Sequence, residues 1–254
     1  PLEEKVLVGP CGFEGTCKCG QCVEMTSQDR LNLMLQGVRD MADAMDVFVA
    51  GGGFSTSFSD IVPAVVISVV GKQITKEPLT KPAKAAGDII IIAGKTSNDG
   101  NDSLYRAGMV SEMRPAIALF AEERAVMEAS LAAMRTGKIK ACSDLGAAGI
   151  GAAVCESARF GGLGARVDLA RVPLRVDDIT PEEILICETQ GRMLFQVAPV
   201  DVEEVLAALA SENVPAAAIG EITDTKEAVF TFGDQPIATI PNQPTDEQMQ
   251  MLKA

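Results

Sequence analysis

The run Cys142-Ser143-Asp144-Leu145-Gly146-Ala147-Ala148-Gly149-Ile150-Gly151-Ala152-Ala153 places a strand end, an acid and a helix start side by side. The residues before it, Lys138 to Cys142, have the composition of a short buried strand, and Ala147 to Arg159 have that of a helix. Small residues between the two let backbone N–H groups approach an anion, and a helix N-terminus adds partial positive charge. Asp144 is then positioned to hold a Mg²⁺ that bridges phosphate oxygens. Taken alone, the motif also has a plainer reading, since glycine-rich strand–helix turns are common. The glycines would only allow close helix–sheet packing, and Asp144 would be an N-cap.

Outward from this turn, the flanking sequence alternates strand and helix. Asp88 to Ala93 is a continuous apolar run, as expected of a strand covered on both faces. Arg114 to Arg135 reads as a long amphipathic helix closed by Gly137, and Arg166 to Leu174 as extended chain. Pro181 to Ile184 is a short helix with Thr180 as its cap, followed by strands at Leu185 to Glu188 and Arg192 to Ala198. Val202 to Ser211 is a helix, and strands follow near Ala216 to Ile222, Ala228 to Phe232 and Ile237 to Ile240. Asp246 to Lys253 is expected to close the chain as a helix. This mixture predicts an α/β (α+β) sandwich of a sheet against helices.

The N-terminal part reads differently. Residues 1–26 are rich in Cys and Gly, and Ser27 to Asp46 carries mostly helical periodicity through Leu31, Leu33, Met34, Val38, Met41, Ala42 and Met45, with Ser27 as the expected N-cap. Strands are expected at Val47 to Ala50 and Ile61 to Gly71. Lys72 to Ala86, with its lysines and prolines, reads as a linker. The expected blocks are therefore a Cys-rich segment (1–26), a partial N-terminal α/β subdomain (27–75), a C-terminal α/β domain (83–240) and a terminal helix (241–254).

Composition narrows the chemistry. The 254 residues carry a net charge of −13, which disfavours nucleic acid as a partner, though small phosphorylated ligands can still be held by glycine turns and bound metal. Apolar residues make up 47% with no Trp and one Tyr, so the core must be aliphatic. There is no histidine, which removes Ser-His-Asp and Cys-His catalysis from this chain's own residues. No apolar run is long enough to span a membrane and no signal-like segment opens the sequence, so a cytoplasmic setting is expected.

Several further segments occur in a definite order. After Ser143-Asp144-Leu145-Gly146-Ala147-Ala148-Gly149 come Gly161-Gly162-Leu163-Gly164 and Val167-Asp168-Leu169-Ala170-Arg171-Val172-Pro173-Leu174-Arg175. Then follow Thr180-Pro181-Glu182-Glu183-Ile184-Leu185, Glu188-Thr189-Gln190-Gly191-Arg192-Met193-Leu194 and Ala218-Ile219-Gly220-Glu221-Ile222-Thr223-Asp224. This succession resembles the first-half C-terminal domain of the synthetase subunit of phosphoribosylformylglycinamidine synthase, within the aminoimidazole-ribonucleotide-synthase-like superfamily. The resemblance spans Ala85 to Ile240 and extends more loosely over Ser27 to Gly71.

The resemblance implies an ATP-dependent amidine-forming ligase of purine biosynthesis. ATP activates the formamide oxygen of formylglycinamide ribonucleotide, and ammonia from glutamine displaces phosphate. Carried onto this sequence, Asp144 would contact Mg²⁺ or nucleotide phosphate, with Gly146 and Gly149 lining the site. Glu188, Gln190 and Arg192 match the family's Glu-Ser-Gln-Glu-Arg-Met-Leu segment, with Thr189 in place of Ser and Gly191 in place of Glu. Asp99 and Gly100 match the end of its Thr-Gly-Arg-Asp-Gly loop, where Asn98 stands at the Arg position. The implied ligands are ATP, Mg²⁺ and a phosphorylated ribonucleotide. The family pairs its N-terminal domains into a shared barrel, which implies a homodimer or a complementary subunit here. The family's His-containing N-terminal motif, its acidic metal-binding motif and the acid before the long helix have no counterpart. A split subunit, a fragment, or a structural or metal-bearing half without its own catalysis would each fit that pattern.

The segment Cys11-x5-Cys17-x-Cys19-x2-Cys22 lies outside the resemblance. Thiolates at this density suit Zn²⁺ or an iron–sulfur cluster, while free thiols and disulfides are the other readings. Cys142, Cys155 and Cys187 are expected to be packed core thiols.

Overall fold

The computed structural model describes residues 5–8, 23–53, 65–73 and 76–242. The chain divides between Gln73 and Ile74 into two compact units. The cysteine cluster at 11–22 and the helix expected over 246–253 lie outside the described residues.

In the first unit, β1 (Lys5–Val8) pairs antiparallel with β2 (Val23–Thr26), with Val8 opposite Val23. Helix α1 (Ser27–Met45) follows directly. Its N-cap is Thr26, one residue before the expected Ser27. The Thr26 hydroxyl accepts the Asp29 N–H at 3.0 Å, and the Asp29 carboxylate accepts the Thr26 N–H at 3.0 Å. This reciprocal capping box needs an acid three residues after the cap, which only Thr26 has. Leu31, Met34, Val38, Met41, Ala42 and Met45 form a half-buried stripe, whereas Leu33, read into the same pattern, is exposed because it stands across the helix from Leu31.

The two strands expected after α1 are not formed in the described residues. Residues 47–53 and 65–73 carry no ladder, and Phe48, Val66 and Val70 are 87%, 90% and 98% exposed. β-branched residues favour a pleated, half-buried surface, but a strand exists only where a neighbour supplies hydrogen bonds.

The second unit contains β3 (Ile89–Ala93), α2 (Asp102–Arg106), α3 (Phe120–Arg135), β4 (Ile139–Asp144), α4 (Gly149–Gly161) and β5 (Gly164–Asp168). A 3₁₀ turn at Leu169–Arg171 then leads to α5 (Pro181–Ile186), β6 (Met193–Val197), α6 (Val202–Ala210), β7 (Ala216–Thr223), β8 (Glu227–Phe232) and β9 (Gln235–Pro241). The seven strands β3–β9 form one sheet in the order β4-β6-β3-β7-β5-β8-β9. Every neighbouring pair is antiparallel except β5 and β8.

Central strand β3 explains the layering. Ile90 and Ile92 face one core with α4 and α5, while Ile91 and Ala93 face a second core with α3 and α6. All four are fully buried, so the run is apolar without alternation. Each such isoleucine contributes about 1.5–3 kcal/mol of burial. The mixed α/β class read from the sequence is the class observed.

The structure corrects the sequence reading at three places. The extended chain expected over 166–174 gives way after Asp168 to the 3₁₀ turn Leu169–Arg171, because the Asp168 carboxylate accepts the Ala170 N–H at 3.0 Å and caps that turn. Helix α3 starts at Phe120, not Arg114, because the preceding amides are held from outside the helix. The Arg114 N–H donates to Asn101 Oδ1 at 2.7 Å and the Ile117 N–H to Asp99 Oδ2 at 2.8 Å. Residues 185–188 are not a strand, because α5 continues to Ile186. Its Thr180–Glu183 capping box gives the helix a firm start, and the Cys187 N–H still reaches the Glu183 carbonyl at 2.8 Å.

Candidate functional site

Antiparallel pairing brings three loops to one end of the sheet. Met193 opens β6 and stands opposite Asp144, the last residue of β4, on one side and Ala93, the last residue of β3, on the other. The loop after β3 (94–101), the turn after β4 (145–148) and the loop before β6 (187–192) therefore leave the sheet together.

Their base is a buried polar lock. Arg192 is 3% exposed. Its Nε donates to the Thr189 carbonyl at 2.8 Å, Nη1 to Thr96 Oγ1 at 2.9 Å and Nη2 to the Cys187 carbonyl at 2.7 Å. Burial lowers its pKa to about 10, so it stays charged at neutral pH. Thr189 joins the first loop to the third: its hydroxyl accepts the Ser97 N–H at 3.0 Å and donates toward Asp99 Oδ1 at 2.9 Å or the Ser97 carbonyl at 3.1 Å. Asp99 is 2% exposed, and its other oxygen holds the Ile117 N–H. Thr189→Val is expected to cost about 1–3 kcal/mol, because the buried Ser97 N–H and Asp99 carboxylate each lose a partner. Urea unfolding should show a lower midpoint at unchanged slope.

Above this lock, Glu188 ties the loops at the surface end. Its N–H donates to the Gly100 carbonyl at 2.9 Å, and its own carbonyl accepts Gln190 Nε2 at 2.8 Å. Its Oε1 accepts the Ala148 N–H at 3.1 Å and the Ser103 hydroxyl at 3.3 Å. Gly100, at φ +64°, lets the first loop approach so closely that a Cβ there would lie 2.9 Å from the Glu188 carbonyl carbon. Gly149, at φ +54°, does the same at the start of α4, where a Cβ would stand 2.5 Å from the Cys187 carbonyl oxygen. Asp144, Gly146 and Gln190 are exposed around this knot.

The eight ligand positions read from the sequence are thus gathered into one region, but with different surroundings. Asp144, Gly146 and Gln190 face solvent, and Glu188 is half-buried. Asp99, Gly100, Gly149 and Arg192 are buried with their contacts inside the chain. Thr96, Thr189 and Ser103 complete the arrangement without having been singled out as site residues. Ser103 sits on α2, a helix of five residues that carries too little periodicity to be read. Among the described residues no group of three or more Cys, Asp or Glu is placed to hold a metal ion on its own.

Cys187 and Cys155 are structural thiols in their environment. Burial raises Cys187 to about 12, with the Glu183 carboxylate adding to it, and raises Cys155 to about 11, with Glu156 adding to it. Both therefore stay protonated well above neutral pH. Iodoacetamide at pH 8 followed by peptide mapping should leave both unmodified in the folded chain and label both in urea. These thiols bind protons more tightly when folded, so their contribution is intact below pH 9 and is lost as pH rises toward 11–12.

Residues 85–233 match the family described as AIR synthase related protein, C-terminal domain. The chain belongs to that family. The phosphoribosylformylglycinamidine synthase subunit PurL of Methanosarcina mazei is 35% identical over 221 residues, which cover 82% of this chain and 30% of the relative. The chain thus spans under a third of the length of that curated relative. Among solved structures, PurLQS from Thermotoga maritima aligns with a TM-score of 0.56 at 29% identity, over 65% of this chain and 27% of that one. T. maritima PurL complexed with FGAR gives a TM-score of 0.67 at 22% identity over 83% of this chain and 36% of that one, and the complex with ATP gives 0.64 at 24% over 83% and 34%. These last two likenesses show the AIR-synthase-like fold. Among the described residues no helix is long and apolar enough to cross a membrane.

Proposed function

We propose that this chain serves an ATP-dependent amidine-forming synthetase of purine biosynthesis, converting formylglycinamide ribonucleotide to formylglycinamidine ribonucleotide as a subunit or fragment. The observation that carries the reading is the convergence of the 94–101, 145–148 and 187–192 loops at one sheet end, with Asp144 exposed beside the start of α4. The likeness to PurL, whose solved complexes contain ATP and FGAR, supports it.

In this reading Asp144 would contribute one hard oxygen ligand to Mg²⁺, and the nucleotide's phosphates would contribute others. That is the usual arrangement for Mg²⁺, which seldom takes an all-protein cage and here would meet no three-carboxylate group among the described residues. Bound Mg²⁺ would neutralise phosphate charge. Glu188, Thr189 and Arg192 would hold the loops in register, while Gly146 and Gln190 would face the ligand. A second copy or a complementary subunit, as in PurLQS, would supply the remaining contacts and cover the exposed 47–50 and 65–70 segments. The chain functions in the cytoplasm in this proposal. Cys11, Cys17, Cys19 and Cys22 would hold Zn²⁺ or an iron–sulfur cluster, and elemental analysis of the purified chain should find stoichiometric Zn or Fe.

Isothermal titration with Mg-ATP tests the synthetase reading. The chain should bind Mg-ATP, and Asp144→Asn should weaken binding about tenfold or more by removing the anionic metal ligand. Absence of binding at millimolar nucleotide, or binding that Asp144→Asn leaves unchanged, would count against it.

A further inference from the structure

A strand–turn–helix with small residues ordinarily offers its first helical amides to a phosphate. Here the two leading amides are already taken from inside the chain, the Gly149 N–H by the Gly146 carbonyl at 3.0 Å and the Ala148 N–H by a side chain. The N-cap of α4, Ala148, has left-handed backbone angles (φ 55°, ψ 24°) and provides no side-chain cap. Its own N–H donates at 3.1 Å to Glu188 Oε1, which also accepts the Ser103 hydroxyl. The carboxylate is not a loosely placed surface group. Its residue is pinned through its N–H to the Gly100 carbonyl and through its carbonyl to Gln190 Nε2. The neighbouring residues are fixed as well, since the Thr189 hydroxyl reaches the first loop and the Cys187 carbonyl accepts Arg192.

We infer that Glu188 is a built-in anion: its carboxylate takes the seat at the start of α4 that a ligand phosphate would otherwise use. It acts as a positioning residue that fixes the Asp144 turn against α2 and the 94–101 loop. A phosphate brought to the Ala148 N–H would meet a fixed negative charge within contact distance, and two such charges repel strongly where water is partly excluded. The favourable field of the helix N-terminus is likewise offset by the carboxylate. The consequence for ligand binding rests on the proposed function: a nucleotide phosphate would approach this turn through a cation at Asp144, not through the Ala148 amide that Glu188 holds. Glu188 and Asp144, both acids beside the same turn, therefore have different tasks.

The test uses the full chain labelled with ¹⁵N and titrated with inorganic phosphate, following the Ala148 and Gly149 amide signals. The wild-type signals should stay fixed through tens of millimolar phosphate. In Glu188→Ala the vacated amide should respond in a saturable manner, at phosphate concentrations about tenfold lower than any wild-type response. Saturable movement of the wild-type Ala148 signal would overturn the inference without any variant being needed. A folded Glu188→Ala chain whose Ala148 amide ignores phosphate would overturn it too. Neither result depends on nucleotide: failure to bind Mg-ATP would remove the proposed function and leave this measurement intact.

Discussion

Gly149→Ala should destabilise the second unit by about 2–5 kcal/mol, the sum of a left-handed alanine and a backbone overlap. The added Cβ would stand 2.5 Å from the Cys187 carbonyl oxygen and 3.1 Å from the Ile186 carbonyl carbon and oxygen. These are main-chain atoms, and the Cys187 carbonyl is itself held by Arg192 Nη2 at 2.7 Å. The loop cannot retreat without breaking that bond. Since a domain of this kind has about 5–15 kcal/mol in total, the loss is a large part of its margin. Chemical unfolding of the variant should show a markedly lower midpoint. Gly146→Ala is the control: its Cβ would have only Asp144 Oδ2 nearby, at 3.9 Å, so its stability should change little. Equal effects from the two variants would show that the close approach at Gly149 is not what limits the turn.

Arg192→Met is the second large expectation, at about 3–5 kcal/mol, the range for removing one member of a buried charged network. The thioether fills part of the volume but donates nothing, so two carbonyl oxygens and the Thr96 hydroxyl lose their donor in a dry interior. Arg192→Lys should recover only a minor part, because one ammonium cannot span three acceptors as a planar fork does. The comparison is made by thermal and urea unfolding of both variants. A lysine variant as stable as the wild-type chain would mean that charge alone, and not the fork geometry, holds the loops.

Both sites show what a linear sequence can and cannot disclose. The turn at 144–149, the apolar run of β3 and the Thr180 cap are local signals, and each appears where it was read. The three loops were linked beforehand only through their order in a resembling family. Their physical connection is long-range: Arg192 meets Thr96 across 96 positions, and Thr189 meets Asp99 across 90. No propensity records such a pairing. Arg192 and Asp99 therefore read as ligand-facing from their motifs, and the structure places them in the interior beneath the exposed Asp144 and Gln190. The start of α3 was hidden for the same reason, since side chains from residues 99 and 101 hold the 114–117 amides. The strands expected at 47–50 and over 61–71 rest on composition alone, and a ladder partner is not a property of composition.

In the proposed function the three converging loops form one nucleotide site. Hydrogen–deuterium exchange of the full chain, with and without saturating Mg-ATP, tests it most directly. Peptides covering 94–101, 144–149 and 187–192 should gain protection together, and Asp144→Asn should remove the gain from all three. Protection confined to other segments, or no change anywhere at saturating Mg-ATP, would contradict it.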